Sequence, residues 1–403
     1  MNTRREKIEI LKYFEYIIDE LRAILKDEGV LLFFIFLPIG YPLIYSWIYN
    51  NEVARDVPVA VVDDSHSALS REFIRKYDAM PDVSVALQCK DMDEAKSAIG
   101  HGDVYGIIHF PQDFAQKIGR MEQGHVSVYC DMSYMLAYKA IFQSATTVSG
   151  VMGAEIQRQA LQKYTTRDEE ISVRPVEFDE VPIFNTTGGY GNFIIPAVLV
   201  LIIQQAMLLG VGMLAGTRRE DEKSYFRKPM SGIVIQRRAI VLRTLGNATA
   251  YILLFAVMLA WITLVVPHIF GFVSMVHAWD LFLFLLPYLV ACSFFAITAS
   301  EMVRYRENVI LVVVFTSLPM LFISGISWPQ SSISGFWQGV SCIFPSTFAI
   351  RGFVRMNSMG ALLSDCVTEY VALWILAIVY LAFSLIIAIR RERRLMREVK
   401  IED

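Results

Sequence analysis

Charge is scarce in this 403-residue chain: Asp, Glu, Lys and Arg make up 19% of it, against 55% hydrophobic residues. The usual chemistry-bearing motifs are missing as well. No GxxxxGK[ST] loop occurs, which excludes nucleotide binding through a P-loop in this chain. GxSxG, HExxH and protein-kinase signatures are absent, so no hydrolase, zincin or kinase constellation can be assembled. The five cysteines form no CxxC or Cys/His pattern, and His66, His101, His109 and His125 show no ligand spacing. The net charge of −3 says little by itself, and no nucleic-acid partner is expected.

What is present is a set of six apolar runs, at 30–49, 193–215, 245–266, 281–300, 309–326 and 371–389. Each is about 18 to 23 residues long, the length an α-helix needs to cross roughly 30 Å of hydrocarbon. One run stands alone near the N-terminus, a polar stretch of about 140 residues follows, and five runs crowd the C-terminal half. The expected fold is an α-helical integral membrane protein with six transmembrane helices in a 1+5 arrangement and an inserted extracytoplasmic α/β domain. The polar residues that precede run 30–49, and its span length, favour an uncleaved signal anchor over a cleaved leader.

Orientation follows from Lys and Arg near the spans. Segments 1–29, 216–244, 301–308 and 390–403 carry 22 of the 37, whereas 267–280 carries none and 327–370 only Arg351 and Arg355. Both termini are therefore expected to be cytoplasmic and the domain at 51–191 outside. The divisions are an amphipathic helix at 1–29, a first span at 30–50, the α/β domain at 51–191, a five-helix domain at 192–390 and a basic tail at 391–403.

In 1–29, Ile10, Phe14, Ile17, Leu21, Ile24 and Leu25 recur at three- and four-residue steps. The pattern describes a helix that lies on the membrane surface or packs on another protein. The domain alternates strand signals at 57–62, 83–87, 104–110, 126–130 and 171–178 with helix signals, the longest at 134–164, and suggests a mixed sheet. Asp63 and Asp64 can bind a cation or simply end a strand, and Cys89 and Cys130 can pair or remain two thiols. Gly188 to Gly191 reads as a flexible return to the membrane.

The segment 217–231 is dense in both charge signs, carries Tyr225 and Phe226 and stops at Pro229; it suits docking onto a soluble partner or an ordinary positive-inside loop. Segment 327–356 is apolar and aromatic but too short to span, and reads as re-entrant or interfacial. Within the spans the polar residues are few, among them Gln204, Gln205, Thr316 and Ser317, and no Asp, Glu, Lys or Arg falls at a midplane. Ion-coupled pumps need such a group, so energy for any transport is expected from a partner.

This layout, with three segments, resembles the membrane subunits of ABC type-2 exporters, and more closely the bacterial efflux permeases with a large extracytoplasmic domain after the first helix. Arg219-Glu-Asp-Glu-Lys223 keeps most of that family's acidic and basic loop pattern, with Ser224 in place of its glycine. Ser300–Asn308 resembles the polar turn between spans four and five. Ser324-Gly325, Trp328-Pro329, Phe344-Pro345 and 349–355 resemble the outside segment of two short helices.

The resemblance implies a homo- or heterodimer of permease subunits above two ABC ATPase subunits that hold ATP and magnesium, with no cofactor in this chain. It makes 1–29 a connecting helix. It assigns coupling to Arg218, Arg219, Glu220, Glu222, Lys223, Tyr225, Phe226, Glu301, Arg304 and Arg306, and a pathway at the dimer interface to spans two and five, with Gln204, Gln205, Thr316 and Ser317 as candidates. It further implies the bacterial inner membrane, contact with membrane lipid and, in many relatives, a periplasmic adaptor and an outer-membrane channel. The alternative is a membrane-anchored mechanotransmitting or sensor subunit whose outside domain moves.

Overall fold

The structure, a computed structural model, describes residues 2–50, 53–120, 122–160, 184–185, 189–225, 237–303 and 305–402. It divides into two compact units, Met1–Asn50 with Phe184–Asp403, and Asn51–Ile183.

The first unit opens with α1 (Asn2–Lys26), whose three- and four-residue apolar spacing buries Ile17 and Ile24. Asp27 then leaves helical geometry, and its carboxylate accepts the Gly29 and Val30 N–H groups at 3.1 and 3.2 Å. That cap turns the chain into α2 (Glu28–Ile48), long and apolar enough to cross a membrane. One π turn, Leu32–Phe36, lies just before Pro38. Proline has no N–H and its ring crowds the carbonyl four residues back, and widening the helix there accommodates it.

The second unit is a small α/β domain. Its described elements are β1 (Val57–Asp63), α3 (Ala68–Asp78), β2 (Val83–Cys89), α4 (Met92–His101), β3 (Gly106–Phe110), α5 (Phe114–Gly119), β4 (Ser127–Cys130) and α6 (Met135–Ala160). The sheet order is β2-β1-β3-β4, with β1 parallel to β2 and β3, and β4 antiparallel to β3. Val57, Val59 and Val61 pack on one face with Phe73, Tyr77 and Phe110; Ala60 and Val62 pack on the other with Ala95, Ala98 and Ile107. Burial on both faces explains why this strand is a continuous apolar run rather than an alternating one.

Two readings of the sequence are decided by that sheet. Cys89 and Cys130 sit on its outermost strands with two strands between them, so about 14 Å separates them at the usual strand spacing. A disulfide needs Cα atoms within about 7 Å, and both thiols are free. Asp63 ends β1 and accepts from the Ser65 and His66 N–H groups and the Ser70 hydroxyl, while Asp64 meets His109 at 3.0 Å. A strand end rather than a cation site accounts for both carboxylates. The strand expected at 171–178 lies outside the described residues.

The first unit resumes with α7 (Tyr190–Tyr225), α8 (Arg237–Ala260, continued through Trp261–Val265 and Val266–Phe270), α9 (Ala278–Ser300), α10 (Asn308–Ile323), α11 (Gly335–Ser341), α12 (Pro345–Met359) and α13 (Val367–Glu402). Gly191, expected in a loop, already belongs to α7, and Gly188 lies outside the described residues. In α8 the π turn Trp261–Val265 precedes Pro267, as in α2.

Helix α7 is the core: its apolar stretch is wholly buried, packed by α9, α12, α10 and α2. Close approach is specified at two glycines. A Cβ on Gly210 would lie 1.9 Å from the Phe34 ring of α2, and one on Gly352 of α12 would lie 2.1 Å from the Phe284 ring of α9.

With α2, the helices α7, α8, α9 and α13 give five described helices long and apolar enough to span. Helix α10 is shorter than the run 309–326 suggests. Its 16 residues cover about 24 Å, because Gly325 takes a left-handed φ of 93° and the Ser324 hydroxyl turns back onto the Leu321 carbonyl. Leu311, Val314, Phe315, Leu318 and Phe322 of α10 are exposed.

Candidate functional site

The charged residues flanking the apolar stretches of the helical unit gather into a web at one end of it. Its deepest member is Glu20 of α1, 4% exposed. One oxygen accepts from Arg218 of α7 and the other from the Tyr251 hydroxyl of α8. Arg219 donates to the Ser300 carbonyl at 2.9 Å. Its other terminal nitrogen lies 2.9 Å from Glu301, off the hydrogen-bond direction, so that contact is ionic. Glu301 also meets Arg391 of α13 at 3.3 Å.

A second knot joins the α1–α2 corner to the turn after α9. Arg306 grips Asp27 with both terminal nitrogens, at 2.9 and 2.5 Å, and reaches Thr217 at 3.2 Å. Fork-on-carboxylate pairing of this kind fixes direction as well as distance. The turn also presses on α7 itself, since a Cβ on Gly216 would meet the Arg306 Cα at 2.9 Å. The Tyr13 and Thr249 hydroxyls, 2.6 Å apart, add another tie between α1 and α8.

Together these pairs fasten α1, α7, α8, the 301–308 turn and α13 to one another. Among the described residues no group of three His, Cys, Asp or Glu side chains could hold a metal.

Deeper in the unit is an uncharged polar knot. Gln204 is 1% exposed, and its Oε1 accepts the Ser346 N–H at 2.8 Å, in the first turn of α12. The side-chain amides of Gln204 and Gln205 lie 3.4 and 3.2 Å from the Met320 sulfur of α10, a weak acceptor. The Gln205 Oε1, Ser346 Oγ and Thr347 Oγ1 atoms are buried with no partner among the described residues. One turn before Met320, Thr316 and Ser317 are half-buried and donate to carbonyls of their own helix, at Val312 (2.7 Å) and Val314 (3.1 Å).

In segment 327–356, Pro345 opens α12 at a first-turn position that lacks nothing by having no N–H. Phe344 packs edge-on against Phe295, and the Ser324 carbonyl accepts from Arg351 at 3.0 Å. Trp328 is exposed, and Pro329 leads into a short turn after Gly325.

Of the residues singled out from sequence for coupling, the structure joins Arg218, Arg219, Glu301 and Arg306 into the web and leaves Glu220 exposed. The backbone of α7 continues helical through Glu222, Lys223 and Tyr225. The side chains of these three, with Phe226 and Arg304, lie outside the described residues.

Sequence reasoning missed Glu20, Asp27, Tyr251 and Arg391. A signal existed for the first: Glu20 falls three residues after Ile17 and four before Ile24, on the apolar face of its helix. Asp27 announced itself only as a break in the periodicity.

The family model described as ABC-2 family transporter protein matches residues 29–386. A comparison with curated proteins finds no match.

Proposed function

The chain belongs to the ABC-2 transporter family, a family of multi-pass membrane permeases served by separate ABC ATPase subunits; from that premise we propose that it is the permease subunit of an exporter driven by ATP hydrolysed in those partners. The single observation that supports this reading most is the web around Glu20, Arg218, Glu301 and Arg306. It gathers the charged end of the core helix, the amphipathic helix and a turn where a motor subunit can push on all three.

On this reading ATP and magnesium stay in the partner. Its closure bears on α1, the α7 extension and the 301–308 turn, and the fastened helices rock as a set. Helix α7 suits the role of lever, because 36 residues run without a break for about 54 Å from the buried core to the charged end. The Gln204–Ser346 knot sits where such rocking would shift α12 against α7.

The finer parts of the proposal are these. Helix α10 makes a sixth crossing with the bilayer thinned or its ends extended, which gives the 1+5 arrangement. The charged web faces the cytoplasm, residues 51–191 lie outside, and the membrane is the bacterial inner membrane. Two permease subunits pair, with the exposed apolar face of α10 beside the pathway. Substrate moves outward, with an adaptor and an outer-membrane channel beyond.

Reversing Arg218 and Arg219 together would place carboxylates beside Glu20 and Glu301, so damage to the fold would precede any loss of coupling. Glu220 is the better probe, being exposed and without a partner among the described residues. Glu220→Lys should leave expression and melting unchanged while lowering the ATPase stimulation seen when chain and ATPase are co-purified. Unchanged stimulation with Glu220→Lys would remove the α7 extension from the coupling surface.

A further inference from the structure

Between α7, α8, α9 and α13 lies a cavity of about 140 Å³, lined among others by Arg218, Arg243, Asn247, Glu301 and Arg391. At about 30 Å³ per water it holds only a few waters' worth of ligand, the scale of one small anionic group rather than of a drug-sized molecule.

Its occupants-in-waiting are unevenly paired. Arg218 is held by Glu20, and Glu301 is shared by Arg219 and Arg391. Arg243 has no partner among the described residues and is exposed, and Asn247, one turn further along the same face of α8, has none either. An arginine fork with both terminal nitrogens unused, beside an amide and a carboxylate, matches a phosphate that carries hydroxyls. The fork donates to phosphate oxygens, and Asn247 and Glu301 bond the hydroxyls.

The cavity also sits at a defined depth. Arg218, Glu301 and Arg390-Arg391 are the first charges after the apolar stretches of α7, α9 and α13, and Arg243 is the last before that of α8. In a bilayer this is the headgroup level, where basic pockets between helices take up anionic lipid.

We infer that the cavity is a binding site for the headgroup of an anionic, hydroxylated phospholipid, with phosphatidylglycerol as its chemical type and Arg243 as its principal anchor. The inference needs only that the helical unit spans a membrane; it stands or falls apart from the transport reading.

The test uses the full chain in nanodiscs of phosphatidylcholine with and without phosphatidylglycerol, followed by delipidation and counting of retained lipid by native mass spectrometry. The wild type should keep one phosphatidylglycerol and no phosphatidylcholine. Arg243→Gln should weaken retention about tenfold, the scale of a lost charge-assisted hydrogen bond, and Arg243→Lys should restore part of it. Arg238→Gln, at an exposed arginine that meets Glu9 at 3.5 Å outside the cavity, should change nothing. Equal retention of both lipids, an unaffected Arg243→Gln, or an equal loss in Arg238→Gln would overturn the site. Displacement of the lipid by inorganic phosphate would make it a free-anion site and overturn the lipid assignment.

Discussion

Neutralising Glu20 and Arg218 separately and together measures whether the web is one coupled unit. In Arg218→Gln the carboxylate of Glu20, 4% exposed, keeps only the Tyr251 hydroxyl. Breaking a buried pair by removing one member costs about 3–5 kcal/mol, because a charge is left uncompensated. Glu20→Gln strands Arg218 instead, whose side chain is 31% exposed and borders a cavity, so water recovers part of the loss. For that variant about 1.5–3 kcal/mol is expected after discounting for solvent.

The double variant leaves two amides that can bond each other and no stranded charge. Its cost should fall short of the sum of the singles by about 1.5–3 kcal/mol. For a unit of this size each kcal/mol moves the melting midpoint by about 2 °C. The expected order of midpoints in detergent is therefore wild type, then Glu20→Gln, then Arg218→Gln with the double variant level with it rather than far below. Additive losses, or a Glu20→Gln indistinguishable from wild type, would refute the claim that this pair fastens α1 to α7.

Two further outcomes follow from the packing and the thiols. Gly210→Ala and Gly352→Ala should each destabilise by about 1–3 kcal/mol in the same melting assay, since rigid rings of Phe34 and Phe284 occupy the space a methyl would need; an unchanged midpoint would mean that α2 or α12 moves freely on its neighbour. Burial pushes the Cys89 and Cys130 thiols up, with Glu94 and Asp91 adding to the effect at Cys89. Their thiolate fraction at pH 7 is thus below that of a free cysteine, so maleimide labelling should be slow there, quicken toward pH 9, and lag behind exposed Cys342 at pH 7. Oxidation of the folded chain should give no Cys89–Cys130 bridge, and finding one would overturn the strand order.

The apolar runs made the helical class readable, because hydrocarbon imposes a length that shows directly in the sequence. The first four strands were readable too, from short β-branched runs such as 57–62 ending at Asp63. Pairing was not. Which strands neighbour each other depends on contacts between segments tens of residues apart, and only the sheet order separates Cys89 from Cys130.

The residues of the charged web were half readable. Charge density drew attention to Arg218, Arg219, Glu301 and Arg306, but partners of theirs lie on α1, at the α1–α2 corner and on α13, as far as 279 residues away in the case of Asp27 and Arg306. No local pattern encodes such a pairing. The early end of α10 was written in Ser324-Gly325, yet the hydropathy of Ile326 masked it.

Helix α7 leaves its neighbours no slack along its length. Phe34 fills the notch at Gly210, Val309 of α10 lies against Gly212, the backbone of Arg306 lies against Gly216, and Arg218 and Arg219 point to Glu20 and Glu301. These marks occupy fixed angles on one cylinder. Inserting or deleting a single residue between Gln204 and Gly210 would turn everything beyond it by about 100° relative to everything before, and so separate every one of those fits from the Gln204–Ser346 knot at a stroke. Substitutions in this helix can be absorbed one at a time, but its length between Gln204 and Arg219 is not a quantity that drift can change.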